Sequence, residues 1–252
     1  MPASDSQHTS SVWSDRRRAP SQIRLFVFGP WALSMWVAAL DPPYGSETPV
    51  LLLAALLGTS IVFHLIAFRR RYPTGEAGIV RNAGVTTVHA RRYYFGTYVV
   101  SVGLAGLTSG AALAQLHPSD AADLAASVPL VAALVWCAGY LIQVARGVIG
   151  APKIEISGRG GIDVHGMSYD ERLDASADAR SIALPGRAGP RIMVHHPGED
   201  VVERRYRTRI FALDHLSTSR RVEPACIILI DTTRFDCDPR ILLTLVQNAG
   251  LQ

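Results

Sequence analysis

Four long stretches without Asp, Glu, Lys or Arg lie in the first 150 residues of this 252-residue chain, and the last 100 residues contain none. A helix needs about 20 apolar residues to cross a bilayer core of ~30 Å. The second, third and fourth stretches reach that length. The first is shorter and reaches it only if polar residues at its ends are included. Four buried helices in a soluble protein would leave too little polar surface to cover them. We therefore predict a transmembrane domain over 22–148, a four-helix bundle with spans at about 23–43, 48–68, 94–116 and 124–146.

The arginines near these spans fall on one side. The other two links hold no Lys or Arg. Ten arginines lie in the N-terminal tail and in the link between the second and third spans: Arg16, Arg17, Arg18, Arg24, Arg69, Arg70, Arg71, Arg81, Arg91 and Arg92. The positive-inside rule then predicts a multi-pass protein of the inner (plasma) membrane with both termini in the cytoplasm. Residues 1–21 are predicted to be a mobile cytoplasmic tail. The cytoplasmic link 69–93 is predicted to contain a short hairpin around Asn82-Ala83-Gly84.

The formal net charge of +4 does not indicate a nucleic-acid-binding protein, because it comes from the segments beside the membrane. Residues 151–252 hold 14 basic and 14 acidic side chains and are therefore neutral. A domain that follows a phosphate backbone needs a positive balance of its own. We expect membrane lipids, a protein partner or a second copy of the chain as partners, and no nucleic acid.

Small residues recur at helical spacing in the third span, at Gly103, Gly106, Gly110 and Ala114. Such a stripe lets another backbone approach closely. It is typical both of packing inside one bundle and of homo-oligomers, and packing inside the bundle is favoured here. The other polar residues of interest in the spans, His64, Gln115 and Gln143, lie near span ends and predict interfacial positions rather than a proton relay.

Beyond residue 150 the apolar pattern changes to the alternation of β-strands. We predict strands at 153–156, 162–165, 181–184, 192–195, 208–213 and 226–231, with a glycine-rich turn between the first two. Asp238 as N-cap, Pro239 at the first helical position and the apolar residues that follow predict a terminal helix over 238–248. Residues 151–252 are thus predicted to form a small antiparallel β-barrel or sandwich with a C-terminal helix.

Three short motifs carry a resemblance to a known group of proteins. These are Pro-Lys-Ile-Glu-Ile at 152–156, Gly-Ile-Asp-Val at 161–164 and Asp-Cys-Asp-Pro-Arg-Ile-Leu-Leu at 236–243, placed after the apolar segments. The chain resembles a group of actinobacterial integral membrane proteins whose cytoplasmic part is similar to the bacterial PH-like domain. The resemblance implies a bent antiparallel barrel closed by a C-terminal helix, and it implies no reaction. Residues 169–180 depart from the family pattern and are predicted to be a solvated polar loop.

An arginine-rich segment is the strongest candidate for binding. If residues 203–209 are extended, Arg205, Arg207 and Arg209 emerge on one face about 7 Å apart, a spacing suited to anionic headgroups or an acidic partner. The alternative is a charged edge strand that prevents aggregation.

Catalytic and metal-binding motifs are absent from the sequence, which contains no G-x-S-x-G, P-loop, G-x-G-x-x-G or H-E-x-x-H. His195 and His196 are neighbours on a predicted strand and point to opposite faces, so they cannot share one ion. Cys226 and Cys237 are predicted to be packing residues. We expect no cofactor, no metal and no enzymatic activity, and predict a membrane protein whose cytoplasmic module binds protein or anionic lipid. The alternative is a subunit of a small transporter or channel acting through the bundle.

Overall fold

The computed structural model of the chain divides into two units: a helical unit built from the apolar stretches, and a β domain that combines residues 71–92 with residues 148–252. The structure describes residues 20–40, 47–69, 75–116, 121–158, 160–174, 179–184, 190–198, 202–208, 210–211 and 227–249. Residues 1–19 of the predicted tail lie outside these ranges.

In the part of the chain that the structure describes, the helical unit contains four helices. They are α1 (Pro20–Leu40), α2 (Thr48–Arg69), α3 (Arg92–Leu113) and α4 (Ala121–Ala145). Within the described residues, three segments are long and apolar enough to cross a membrane: Thr48–Ile66, Arg92–Leu113 and Leu124–Ala145. The apolar part of α1, Phe26–Leu40, is shorter. The structure therefore supports three of the four predicted spans, and α1 falls short because its first turns are polar.

The link between α2 and α3 forms the predicted hairpin, with strands β1 (Ile79–Asn82) and β2 (Val85–His89). The two turn residues, Ala83 and Gly84, both have positive φ, 41° and 83°. Positive φ at both central residues is what a two-residue turn needs to match the twist of its strands. The prediction of a hairpin here is confirmed.

Seven more strands follow α4: β3 (Lys153–Ser157), β4 (Gly161–His165), β5 (Tyr169–Asp174), β6 (Arg180–Leu184), β7 (Arg191–His195), β8 (Val202–Tyr206) and β9 (Ile227–Asp231). The larger sheet has the order β1-β2-β3-β4-β5-β8 and is antiparallel throughout. β2 of the link pairs with β3 from Val85 opposite Ser157 to His89 opposite Lys153. The β domain is therefore larger than the predicted 151–252, because it includes a hairpin that lies two helices earlier in the chain.

Two strand predictions were wrong. Residues 169–174 form β5 rather than a solvated loop, because Glu171 is accommodated on the inner face of the sheet. The strand predicted at 208–213 is absent from the described part of that segment, and the strand lies earlier, at β8. The chain leaves β8 because the backbone N–H groups of Arg207 and Thr208 both donate to the carbonyl of Ser168, at 2.9 and 3.3 Å.

The smaller sheet, of order β6-β7-β9, packs with the larger one around a single core. The final helix, α5 (Pro239–Ala249), begins where Asp238 Oδ1 accepts the N–H of Arg240 at 2.8 Å, and it lies within a residue of its prediction. Among the described strands no pairing closes the sheets into a barrel. The core is made of apolar residues from both sheets and α5: Val88, Ile154, Ile156, Ile162, Val164, Leu173, Ile192, Val194, Val202, Ile228, Ile230, Phe235, Cys237, Leu242, Val246 and Ala249.

Glycine is required where the link meets the segment before α5. Gly78 donates its N–H to the Asp236 carbonyl at 2.7 Å and accepts from His89 at 2.8 Å, and Asp236 donates back to His89 at 3.0 Å. A Cβ at Gly78 would lie 2.7 Å from the Asp236 oxygen, closer than real Cβ atoms come. The link is thereby fixed to the domain at both β3 and Asp236.

The pairing of β2 with β3 predicts that residues 151–252 cannot complete their core alone. We expect a polypeptide of 151–252 to be unfolded or aggregated, because it exposes the edge of β3 and lacks Val88, which is fully buried. Placing residues 75–91 ahead of residue 151 through a short Gly/Ser linker should restore cooperative urea unfolding, followed by circular dichroism.

The two faces of β2 provide a matched pair of variants in that joined polypeptide. Val88→Ala should lower the free energy of unfolding by about 2 kcal/mol, because it removes buried methyl groups. Val85→Ala, at a residue 37% exposed, should change it by less than about 0.5 kcal/mol. Cooperative folding of 151–252 alone with the same stability as the joined polypeptide would show that β2 is dispensable.

Candidate functional site

Ionisable side chains are linked across the outer face of the larger sheet, the face opposite the core. Lys153 Nζ lies 2.5 Å from a carboxylate oxygen of Glu155. The His165 ring lies between two carboxylates, with Nε2 3.7 Å from Glu155 and Nδ1 2.7 Å from Asp170. Arg207 Nε lies 3.3 Å from the other oxygen of Asp170. We call these five residues the charge chain. They come from β3, β4, β5 and the segment after β8, so the sheet register assembles them.

The charge chain is largely self-neutralising. The hydrogen bond from Lys153 lowers the pKa of Glu155, and this effect exceeds that of burial, which raises it. Asp170 is held between His165 and Arg207. Its two acidic members are therefore compensated by neighbours in the chain.

The three predicted arginines have different surroundings. Arg205 is exposed and lies opposite Asp170 in the register. Arg207 lies beyond the end of β8, is half-buried, and donates from Nη2 to the Gly166 carbonyl at 2.5 Å. Arg209 lies outside the described residues. The strand ends between Arg205 and Arg207, so these two are not alternate residues of one strand.

The contact between Arg207 and Gly166 fixes the turn between β4 and β5. A Cβ at Gly166 would fall on the ring of Tyr169, so the turn needs glycine there. The turn is buried, with Ser168 fully inaccessible and Met167 nearly so. Arg207 therefore stabilises the fold of this turn.

A buried ion pair joins β5 to β8. Glu171, 6% exposed, lies opposite Arg204 in the register and accepts from its Nε at 3.0 Å. Arg204 also donates from Nη2 to the carbonyl of Ile227 at 2.6 Å, which connects the larger sheet to β9. Sequence reasoning missed this pair. The available signal was an inward-facing Glu in one alternating segment matched by an inward-facing Arg in another.

The geometry around His165 is unsuited to a metal ion. Its two ring nitrogens face different carboxylates, so the ring separates Glu155 from Asp170. Within the described part of the chain, no three His, Cys, Asp or Glu side chains are grouped as metal ligands. A cavity beside His165, Tyr169 and Arg234 has a volume of only about 10 Å³, the size of one water molecule.

Cys237 is buried in the core, and Cys226 lies outside the described residues. Burial, followed by the charges of Asp238 and Asp236, raises the pKa of Cys237 to about 12 despite the opposing charge of Arg91. The thiol is thus neutral at physiological pH and inaccessible.

The small-residue stripe of α3 faces α4 at two of its four positions. A Cβ at Gly106 would lie 3.0 Å from Cys137 Cβ, and one at Gly110 would lie 3.8 Å from Leu134. A Cβ at Gly103 would meet nothing within 4 Å. Ala114 follows the end of α3 and is exposed. Packing between α3 and α4 therefore accounts for Gly106 and Gly110.

Two of the polar residues that the sequence analysis named in the helical unit, His64 and Gln115, do not lie together. His64 Nδ1 lies 2.6 Å from Thr97 Oγ1, and Ser60 and Ser101 are hydrogen-bonded at 2.9 Å, so both contacts join α2 to α3. Gln115 lies 18 residues beyond Thr97, about 27 Å further along if helical. His64 and Gln115 are therefore near opposite ends of the helices.

Comparison of the chain with protein-family models, with curated proteins and with solved structures finds no match. The arguments about function therefore depend on the sequence and on the geometry described above.

The Glu171–Arg204 pair should be worth more than the exposed pairs. Glu171→Leu should lower the free energy of unfolding by about 3 kcal/mol, because it leaves Arg204 without its carboxylate. The double variant Glu171→Leu/Arg204→Met should recover most of that loss. Asp163→Ala, whose 3.7 Å pair with Arg172 is exposed, is the control and should cost less than about 1 kcal/mol.

These changes are compared by urea unfolding of the full chain in detergent. Equal losses for Glu171→Leu and Asp163→Ala would contradict the assignment of Glu171 and Arg204 as a buried, coupled pair.

The stripe allows a second comparison within one helix. Gly106→Leu should lower the melting temperature of the detergent-solubilised protein, because the side chain collides with α4. Gly103→Leu, at an open position, should leave it nearly unchanged. Size-exclusion chromatography with light scattering should show the same oligomeric state for both variants. If Gly103→Leu instead dissociated an oligomer, the stripe would have a second role between copies.

Proposed function

We propose that this protein is a non-enzymatic integral membrane protein that presents a PH-like cytoplasmic module for interaction with protein or anionic lipid. The supporting observation is the outer face of the larger sheet, where charged side chains are displayed on β3, β4, β5 and β8. Ion pairs link most of its charged groups, with Arg205 as an exception, and among the described residues the cavity beside His165 holds only about one water molecule. A surface of this kind is suited to recognition more than to catalysis.

The β domain supports the PH-like part of the proposal through its architecture. Two antiparallel sheets enclose one core, and α5 packs against it at the C-terminal end of the chain. The domain is not formed by one continuous segment of the chain, because β1 and β2 come from the link between two apolar helices.

The proposed topology has four crossings, with both termini in the cytoplasm. β2 and β3 are hydrogen-bonded neighbours, so the segments that contain them occupy the same side of the membrane. An even number of crossings between them fits α3 and α4 each spanning once. The ten arginines of the tail and the link support the cytoplasm as that side. In this proposal α1 crosses as well, with its short apolar segment extended by flanking residues.

One series of variants, each with one introduced cysteine, tests both parts of the proposal. It uses the full chain with Cys226→Ser, since the described cysteines, Cys137 and Cys237, are buried. Cysteines at Asn82 and Asp163 should react with a membrane-impermeant maleimide only after the membrane is opened. A cysteine at Asp120 should react in intact cells. Labelling of positions 82 and 163 from opposite sides of the membrane would contradict the pairing that places both residues in one sheet.

A benzophenone attached to the introduced cysteine at 163, or to a further one at 244, then identifies what contacts each position. In native membranes the probe at 163 should form protein or lipid adducts in excess over a probe at Thr244, an exposed position on α5. Equal adduct levels at both positions would overturn the proposal that this face is the interaction surface.

A further inference from the structure

A row of ionisable residues crosses the larger sheet at one end. The register places His89 opposite Lys153, Lys153 opposite His165, His165 opposite Asp170, and Asp170 opposite Arg205. We call these five residues the basal row. Residues directly opposite each other share a face of the sheet, so all five lie on its outer face. Four strand spacings give the row a length of about 19 Å.

Both connections to the apolar helices leave the sheet at the basal row. α3 begins at Arg92, three residues after His89, a reach of about 10 Å at most. The connection from α4 arrives beside it, since the Ala90 N–H donates to the Pro152 carbonyl at 3.0 Å. If α3 and α4 cross the membrane, this end of the sheet is held close to the headgroup layer by the covalent chain.

The two connections at this end carry positive charge, whereas Lys153 of the row is paired with Glu155, and Asp236 is hydrogen-bonded through its backbone to His89. The connections 90–92 and 146–152 contain three arginines, Arg91, Arg92 and Arg146, and no carboxylate. The carboxylate of the row, Asp170, is compensated by His165 and Arg207. Arg205, in contrast, is exposed and forms no ion pair within the described residues.

We infer that the basal row, together with these connecting arginines, binds the headgroups of anionic phospholipids, with Arg205 as the contact furthest from the covalent connections. This inference rests on the proposed function and specifies its ligand. A basic residue near an anionic membrane surface favours anionic lipid by about fivefold. Contacts at both ends of a 19 Å row (about four strand spacings) would orient the sheet on the membrane, since the covalent connections lie at one end only.

The test uses the full chain in mixed vesicles of phosphatidylcholine and phosphatidylglycerol, with a photoactivatable derivative of each lipid in turn. Adducts are mapped by mass spectrometry to the peptide that contains β8. Phosphatidylglycerol adducts should exceed phosphatidylcholine adducts by about fivefold. Arg205→Ser should abolish that excess, and Arg205→Lys should retain it.

Arg180→Ser is the matched control. Arg180 is another exposed arginine without an ion pair in the described part of the chain, and it lies on β6, separated from β9 by β7. Its replacement should leave the excess unchanged. Unchanged melting temperatures should show that each variant remains folded. Equal excesses for Arg205→Ser and Arg180→Ser would overturn the inference.

A competition experiment separates a lipid headgroup from a free phosphate. Inorganic phosphate should remove no more of the phosphatidylglycerol excess than sodium chloride at the same ionic strength does. Specific removal by phosphate would overturn the lipid assignment in favour of a soluble anion. If the excess is absent while the probe at 163 still forms protein adducts, this inference fails and the proposed function remains. If the lipid excess and the adducts at 163 are both absent, the inference and the proposed function both fail.

Discussion

The hydrogen-bonded pairing of β2 with β3 is the constraint on which the rest of the β domain depends. It joins a link between two apolar helices to the chain that follows the fourth helix, five residues against five. It also brings the fully buried Val88 into the core. An isolated hairpin such as β1–β2 is only marginally stable in water. Pairing with β3 therefore stabilises the hairpin, and the hairpin in turn covers the edge of β3. The domain is thus assembled from two segments separated by α3 and α4.

This assembly restricts the helices as well as the strands. Both ends of the α3–α4 segment connect to neighbouring strands of one sheet, and Gly78 and Asp236 add a second attachment of the link. Between the helices themselves, glycine permits the close approach of α4 to Gly106 and of α1 to Gly58, where a Cβ would lie 2.7 Å from that of Ala32. In lipid such close packing replaces the hydrophobic effect as the force between helices.

Neighbouring arginines in one short segment have different roles, and their surroundings decide which. Arg204 points inward and is held by Glu171, Arg205 points outward and is exposed, and Arg207 secures the turn at Gly166. An inward arginine is tolerable only because a carboxylate and a carbonyl compensate its charge. Of the three, Arg205 is therefore the one suited to an external anion, and its register position places it at the end of the basal row.

Much of the fold could be predicted because it follows from local patterns. Charge-free runs longer than about 18 residues indicate spans, Ala83 and Gly84 after Asn82 indicate a turn, and Asp238-Pro239 indicates a helix start. Each depends on neighbours in the chain. β5 could not be predicted in this way, because its inward Glu171 looks like a loop residue until Arg204 is known to face it.

The sequence by itself determined that this chain has a half of long apolar helices and a β half, since hydropathy and strand alternation are properties of consecutive residues. Only the tertiary structure decided that the link belongs to the β domain, that Gly106 packs against α4, and that Lys153, His165 and Arg205 share one row. Those relations are set by strand register and helix contact, which join residues far apart in the chain.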